Sequence, residues 1–160
     1  MRAFLAEARR RLEAGEPEAA RQSILAGFKV DPDHTGLRLL AALAQCQVRR
    51  FEDAIYLLQT LAEDAPQSAP VRVALAAAYF GNGQRDAAIQ ALQSAMRIDP
   101  ALADAHYNMA QLLLTGPAPD NDAAAENYRR AVELGAAPDP RLDKLIAPPG
   151  TATDQAVSKP

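Results

Sequence analysis

The chain has no tryptophan, a single cysteine and only two histidines in 160 residues. One cysteine excludes an internal disulfide and fits a reducing compartment without requiring one. Two isolated histidines and that cysteine give no tetrahedral metal-ligand spacing, so no metal site is expected. Aromatic residues make up 5% of the chain while apolar residues reach 49%. Alanine carries much of that apolar share, which suits closely packed helices and gives little support to a β-sheet. No apolar run approaches the ~18 residues that would span a membrane, so no membrane insertion is expected. The start of the chain, Met1 to Glu7 followed by Arg9-Arg10-Arg11, has no apolar signal-peptide core, and a cytoplasmic location is the expectation. Charge of either sign is also not in large excess: 17 Lys+Arg against 20 Asp+Glu leave a net charge of −3. That balance argues against nucleic acid, or an anionic membrane surface, held by bulk electrostatics. The chain also lacks a glycine-rich phosphate loop and a nucleophile elbow, so neither enzymatic activity nor a cofactor is expected.

What the chain does have is a beat of 34 residues. Pro32, Pro66 and Pro100 keep it, as do Ala8, Ala42, Ala76 and Ala110, and again Ala20, Ala54 and Ala88. A period in this range marks a repeat architecture, in which each unit buries its apolar face only by stacking on its neighbours. The punctuation predicts helices over about 2–14, 17–30, 36–47, 51–64, 70–81, 85–98, 103–115 and 122–134. Proline ends or opens them because it lacks an N–H and restricts the residue before it. Such short helices are marginal alone and need stacking. Asp139-Pro140 reads as N-cap and first residue of a further helix over 140–147, with Leu142, Leu145 and Ile146 on one face. Residues 148–160 lack apolar periodicity and read as a disordered tail.

The pattern resembles the tetratricopeptide repeat (TPR) family. A small residue stands at repeat position 8, alanine at 20, a large residue at 24, a small one at 27 and proline at 32. Leu75, Ala76, Tyr79, Gly83, Ala88, Leu92, Ala95, Asp99 and Pro100 form the best-fitting unit. Ala8, Ala20, Ile24, Gly27 and Pro32 form another, and Ala42, Ala54, Leu58 and Pro66 a third, with Leu61 where a small residue is expected. Ala110, Ala124, Tyr128 and Ala131 form a fourth, whose internal loop is two residues longer. The resemblance implies an all-α, right-handed superhelical solenoid with units at about 1–34, 35–68, 69–102 and 103–137. Independently, alanines at positions 8 and 20 let the two helices of a pair cross at close range. The two ends read as caps, because Glu7 and Arg11 stand where the third unit has Leu75 and Tyr79.

In this family the first helix of each pair lines a concave groove. Carried over by position, the groove residues are Leu5, Arg9 and Leu12; Leu39, Leu43 and Cys46; Val73, Ala77 and Phe80; and Tyr107, Asn108, Gln111 and Leu114. The apolar centre suits an amphipathic helix or an extended apolar peptide of a protein partner. The alternatives are self-association into a homo-oligomer, cover by the chain's own tail, and plain core packing. The resemblance does not extend to the clamp by which TPR co-chaperones hold acidic C-termini. Where those proteins carry Lys, Asn and Arg, this chain has Leu39, Leu43, Ala74, Asp104 and Asn108, and Asp104 would repel a carboxylate. The apolar groove is more similar to that of chaperones that shield hydrophobic clients.

The remaining polar features have bland readings. Arg9-Arg10-Arg11 sits among Glu7 and Glu13 at helical spacing and reads as an ion-paired face. Arg49-Arg50 beside Glu52 and Asp53 reads the same way. Cys46 reads as a small apolar packer. His34 falls in an inter-repeat loop, and His106 at a helix position where the family often has an aromatic. Asp120, Asn121 and Asp122 lack the spacing of a calcium loop and read as a turn with an N-cap.

Overall fold

The computed structural model describes residues 1–146, and within them every regular element is a helix. In order they are α1 (Arg2–Glu13), α2 (Pro17–Phe28), α3 (Thr35–Gln47), α4 (Phe51–Asp64), α5 (Ala69–Gly81), α6 (Arg85–Ile98), α7 (Ala103–Leu114), α8 (Asn121–Glu133) and α9 (Pro140–Ile146). The expected final residue of α9, position 147, and the expected tail lie outside the described residues.

α1 packs on α2, α3 on α4, α5 on α6 and α7 on α8, which makes four helix pairs. The reason lies at the crossings. Ala8, Ala20, Ala42, Ala54, Ala76, Ala88, Ala110 and Ala124 are all buried, with none more than 1% exposed. A methyl side chain on both partners lets the backbones approach, and nothing larger fits between them. Ile24, Leu58, Leu92 and Tyr128 fill the space beside each crossing and are buried.

Successive pairs are joined by packing of α2 on α3, α4 on α5 and α6 on α7. Side-chain volumes along this seam are complementary. At Gly27 an added Cβ would lie 2.6 Å from the Leu37 side chain, so the absence of a side chain there makes room for a fully buried leucine. At the next seam Leu61 replaces the small residue and is itself fully buried. The room comes from Val71 and Ala74, which stand where the preceding seam has Leu37 and Leu40 and which share a cluster with Leu61.

The turn inside each pair also repeats. Gly15, Arg49 and Gly83, spaced by 34 residues, take positive φ values of 71°, 61° and 78°. Each lets the chain close the preceding helix with a bond from the next residue's N–H: Glu16 to Arg11, Arg50 to Gln45 and Gln84 to Tyr79, at 2.8–2.9 Å. Arginine tolerates this conformation less well than glycine. Its guanidinium lies 5.5 Å from the centre of the Phe51 ring, a cation–π contact that offsets part of the strain. Among the described residues neither Arg49 nor Arg50 makes the ion pair expected with Glu52 or Asp53, because the turn directs Arg49 to the ring instead.

Two stability changes follow. Ala88→Leu overpacks a crossing and is expected to cost about 1–3 kcal/mol. Arg49→Gly relieves the backbone and loses the ring contact, for an expected net gain of under about 1 kcal/mol. Urea unfolding followed by circular dichroism checks both. A stabilising Ala88→Leu would mean that the crossing has spare room.

Candidate functional site: a concave groove closed at one end

The first helices of the pairs touch one another in series, α1 to α3, α3 to α5 and α5 to α7, whereas the second helices make no comparable series of contacts. Shorter spacing on the first-helix side bends the stack toward that side. The hollow that results has a volume of about 650 Å³ and is walled by α1, α3, α5 and the start of α7. Its floor and inner walls include Leu39, Leu43, Cys46, Val73 and Ala77, and Arg9 and Asn108 lie at opposite ends. These seven expected groove residues, and Leu12 with them, are therefore brought together. Ala77 is exposed, while Leu39, Leu43 and Val73 are half-buried and also brace the core beneath. Cys46 is half-buried and burial pushes its thiol pKa up, which matches an unreactive packing role.

The structure places the other five elsewhere. Leu5 packs into the cluster around Ala8, Leu12 and Ile24. Phe80 lies outside the groove lining and is 44% exposed. Tyr107, Gln111 and Leu114 are taken up by the C-terminal helix. Leu142 of α9 is buried with Ala110 and Tyr128, and Tyr107, Leu114 and Ile146 pack against that cluster. Tyr107 Oη donates to Asp139 Oδ2 at 2.7 Å, and Gln111 Nε2 donates to Tyr107 Oη at 3.2 Å. The expected apolar groove thus stops at the start of α7, because α9 occupies the end of its stripe. Leu40, Pro70 and Leu102 join the lining without having been expected from the repeat positions. Leu102 precedes its helix, and no helical periodicity points to it.

Asp139 anchors this closure. Its Oδ1 accepts from the Arg141 N–H at 2.9 Å, the N-cap geometry expected for Asp139-Pro140. Its backbone N–H donates to Tyr128 Oη at 2.6 Å. The Arg141 guanidinium and the Tyr107 hydroxyl hold the Asp139 carboxyl well below the usual carboxylate range. The same contact with Asp139 raises the pKa of Tyr107. At the other end of the stack, Glu7 pairs with Arg10 and Arg11 at 2.7 Å, and Arg11 pairs with Glu16 at 2.6 Å. Arg10 and Arg11 lower the pKa of Glu7 to about 2. The expected partnership of Arg9 with Glu13 does not form among the described residues. Glu7 is drawn to the other two arginines, and Arg9 and Glu13 both line the groove.

Further polar features resolve simply. His34 is the N-cap of α3, with Nδ1 accepting from the Gly36 and Leu37 N–H groups at 3.1 and 3.4 Å. His106 bonds to Asn127 and to the Pro100 carbonyl. Asp120 caps α8 by accepting from the Ala123 N–H at 3.0 Å. Among the described residues no helix is long and apolar enough to cross a membrane.

A second depression, about 440 Å³, opens between α2 and α3 around Ile24, Leu25, Phe28, Ala44 and Val48. It exists because Pro17 stands where the next two units lay Phe51 against Gly81 and Arg85 against Gly116.

Stacked antiparallel helix pairs with a concave face of first helices define an α-solenoid, a class of repeat protein. Residues 79–115 match the family model described as TPR repeat. The fold is that of tetratricopeptide-repeat proteins. Similar solved structures include a thermophilic TPR protein of Thermus thermophilus, 20% identical, covering 91% of this chain and 78% of that one with a TM-score of 0.76. MamA of Desulfovibrio magneticus is 21% identical, with 82% and 73% covered and a TM-score of 0.64. The first TPR domain of human RPAP3 is 14% identical, with 79% and 93% covered and a TM-score of 0.61. No curated protein matches the sequence.

The depressed pKa values set a pH expectation. A carboxyl whose folded pKa lies below its unfolded value, ordinarily about 4, stabilises above that value and loses this contribution as pH falls through the interval beneath it. Docking of α9 through Asp139 is therefore expected to weaken as pH falls below about 4. Hydrogen exchange of residues 140–146 should rise there, and Asp139→Asn should already exchange faster at neutral pH. Protection in the variant that matched wild type throughout would remove Asp139 from this role.

Proposed function

We propose that the protein is a protein–protein interaction module whose concave groove binds an apolar segment of a partner, as an adaptor, scaffold or chaperone-like shield. The observation that carries this reading is the groove itself. Leu39, Leu43, Val73 and Ala77 present apolar surface from two adjacent first helices, and no described segment of the chain covers it. Two or three partner side chains buried there, at about 1.5–3 kcal/mol each, are enough for micromolar binding after association costs.

Self-association is the second reading, and the depression at Leu25 and Val48, 47% and 39% exposed, favours it. Head-to-tail stacking through the ends gains less support. The first end is covered by the Glu7, Arg10 and Arg11 ion pairs and the last by α9.

The experiment is an affinity capture from lysate with the wild-type chain and an Ala77→Glu variant. Ala77 is exposed, so a charge there is expected to leave helical content unchanged, whereas Leu43→Glu also disturbs a half-buried position. Loss of a captured protein with Ala77→Glu, and not with Leu25→Glu, supports the groove. Capture unaffected by Ala77→Glu, or capture of this chain alone, removes the groove reading in favour of self-association.

A further inference from the structure

The charges in the groove are unevenly compensated. At the α1 end Arg9 and Glu13 lie one helical turn apart in the lining and cancel in net charge, although they form no ion pair among the described residues. At the α7 end Asp104 lines the groove, is exposed, and has neither an ion pair nor a hydrogen-bonded partner for its side chain among the described residues. Asn108, one turn further on, also lines the groove and has no side-chain bond there. The other nearby acid, Asp139, has its charge met by Arg141 and by the Tyr107 hydroxyl. Asp104 also borders a separate hollow beside Ala136, Ala137 and Pro138, so its side chain stands open at the closed end of the groove.

We infer that the groove's occupant is an apolar protein segment carrying a lysine or arginine where it passes Asp104. This rests on the groove reading and specifies the partner's chemistry. An apolar floor whose α7 end carries the net negative charge of Asp104 selects a cation against an anion at that point and leaves the other contacts unchanged. A carboxylate in the first turn of α7 also suits the helix dipole. The dipole accounts for an acid on that turn but carries no preference for the charge of an occupant, and the test separates the two.

The probes are three fluorescein-labelled helical peptides of about 15 residues, each with one leucine-rich face. They are identical except for Lys, Gln or Glu at one end of that face. Fluorescence anisotropy with the full chain is expected to give wild-type binding about two- to five-fold tighter for the Lys than for the Glu peptide. The difference should shrink at about 0.5 M salt. Asp104→Lys should invert the order, and Ala77→Glu should weaken all three. Equal affinities in wild type, with Ala77→Glu still weakening binding, would overturn the charge inference and leave the groove reading standing. Binding indifferent to Ala77→Glu, or no binding of any peptide, would overturn both.

Discussion

The close crossing of two helices at paired alanines is the contact on which the rest of this structure depends. Each crossing brings two backbones within reach because neither side contributes more than a methyl group. The flanking Ile24, Leu58, Leu92 and Tyr128 can then close over the contact and exclude water. A pair held this tightly behaves as one block, and the blocks have few ways to stack. Packing α2 on α3, α4 on α5 and α6 on α7 brings the first helices together in series and leaves the second helices spread. Curvature, and with it the groove, is a by-product of that asymmetry.

A solenoid has open ends, and the two ends here are closed by different means. At α1 the exposed face is made polar, with Glu7 bridging Arg10 and Arg11 where an internal unit would carry apolar side chains. At α8 an apolar face persists and is covered by α9, whose Leu142 completes a cluster with Ala110 and Tyr128. The second solution has a consequence for the groove. Asp139 must be held in place for α9 to dock, and Tyr107 is one of the side chains that hold it, with Tyr128 and Arg141. A residue available at the rim of the groove by its repeat position is thereby committed to structure. The same arrangement leaves Asp104 and Asn108, one turn earlier and one residue later, as the polar side chains facing the hollow from α7.

Much of this was legible in the residues. The helices follow the expected ranges to within a residue or two, because proline, glycine and the alanine beat are local signals with local causes. Asp139-Pro140 and Asp120 announced their caps for the same reason. The misplacements share a different cause. Tyr107, Gln111 and Leu114 were assigned by repeat position, and repeat position carries no information about an element outside the repeat, which α9 is. Arg49 looked like half of a charged turn. Its place on the 34-residue beat with Gly15 and Gly83 was visible, but the positive φ it shares with them was not inferred. His34 looked like loop and is a cap, a role for imidazole that depends on its χ angles and not on its spacing.

By itself, the sequence determined that this is a stack of four helix pairs with alanine crossings, because a period of 34 residues and short apolar stripes leave a chain no other way to bury its surface. Tertiary structure alone decided where the groove ends, which side chains face into it and which of its charges find partners. Those outcomes depend on distances between residues far apart in the chain. Tyr107 meets Asp139 across 32 positions, Arg38 meets Asp64 across 26, and the Asp104 side chain makes no hydrogen bond or ion pair among the described residues.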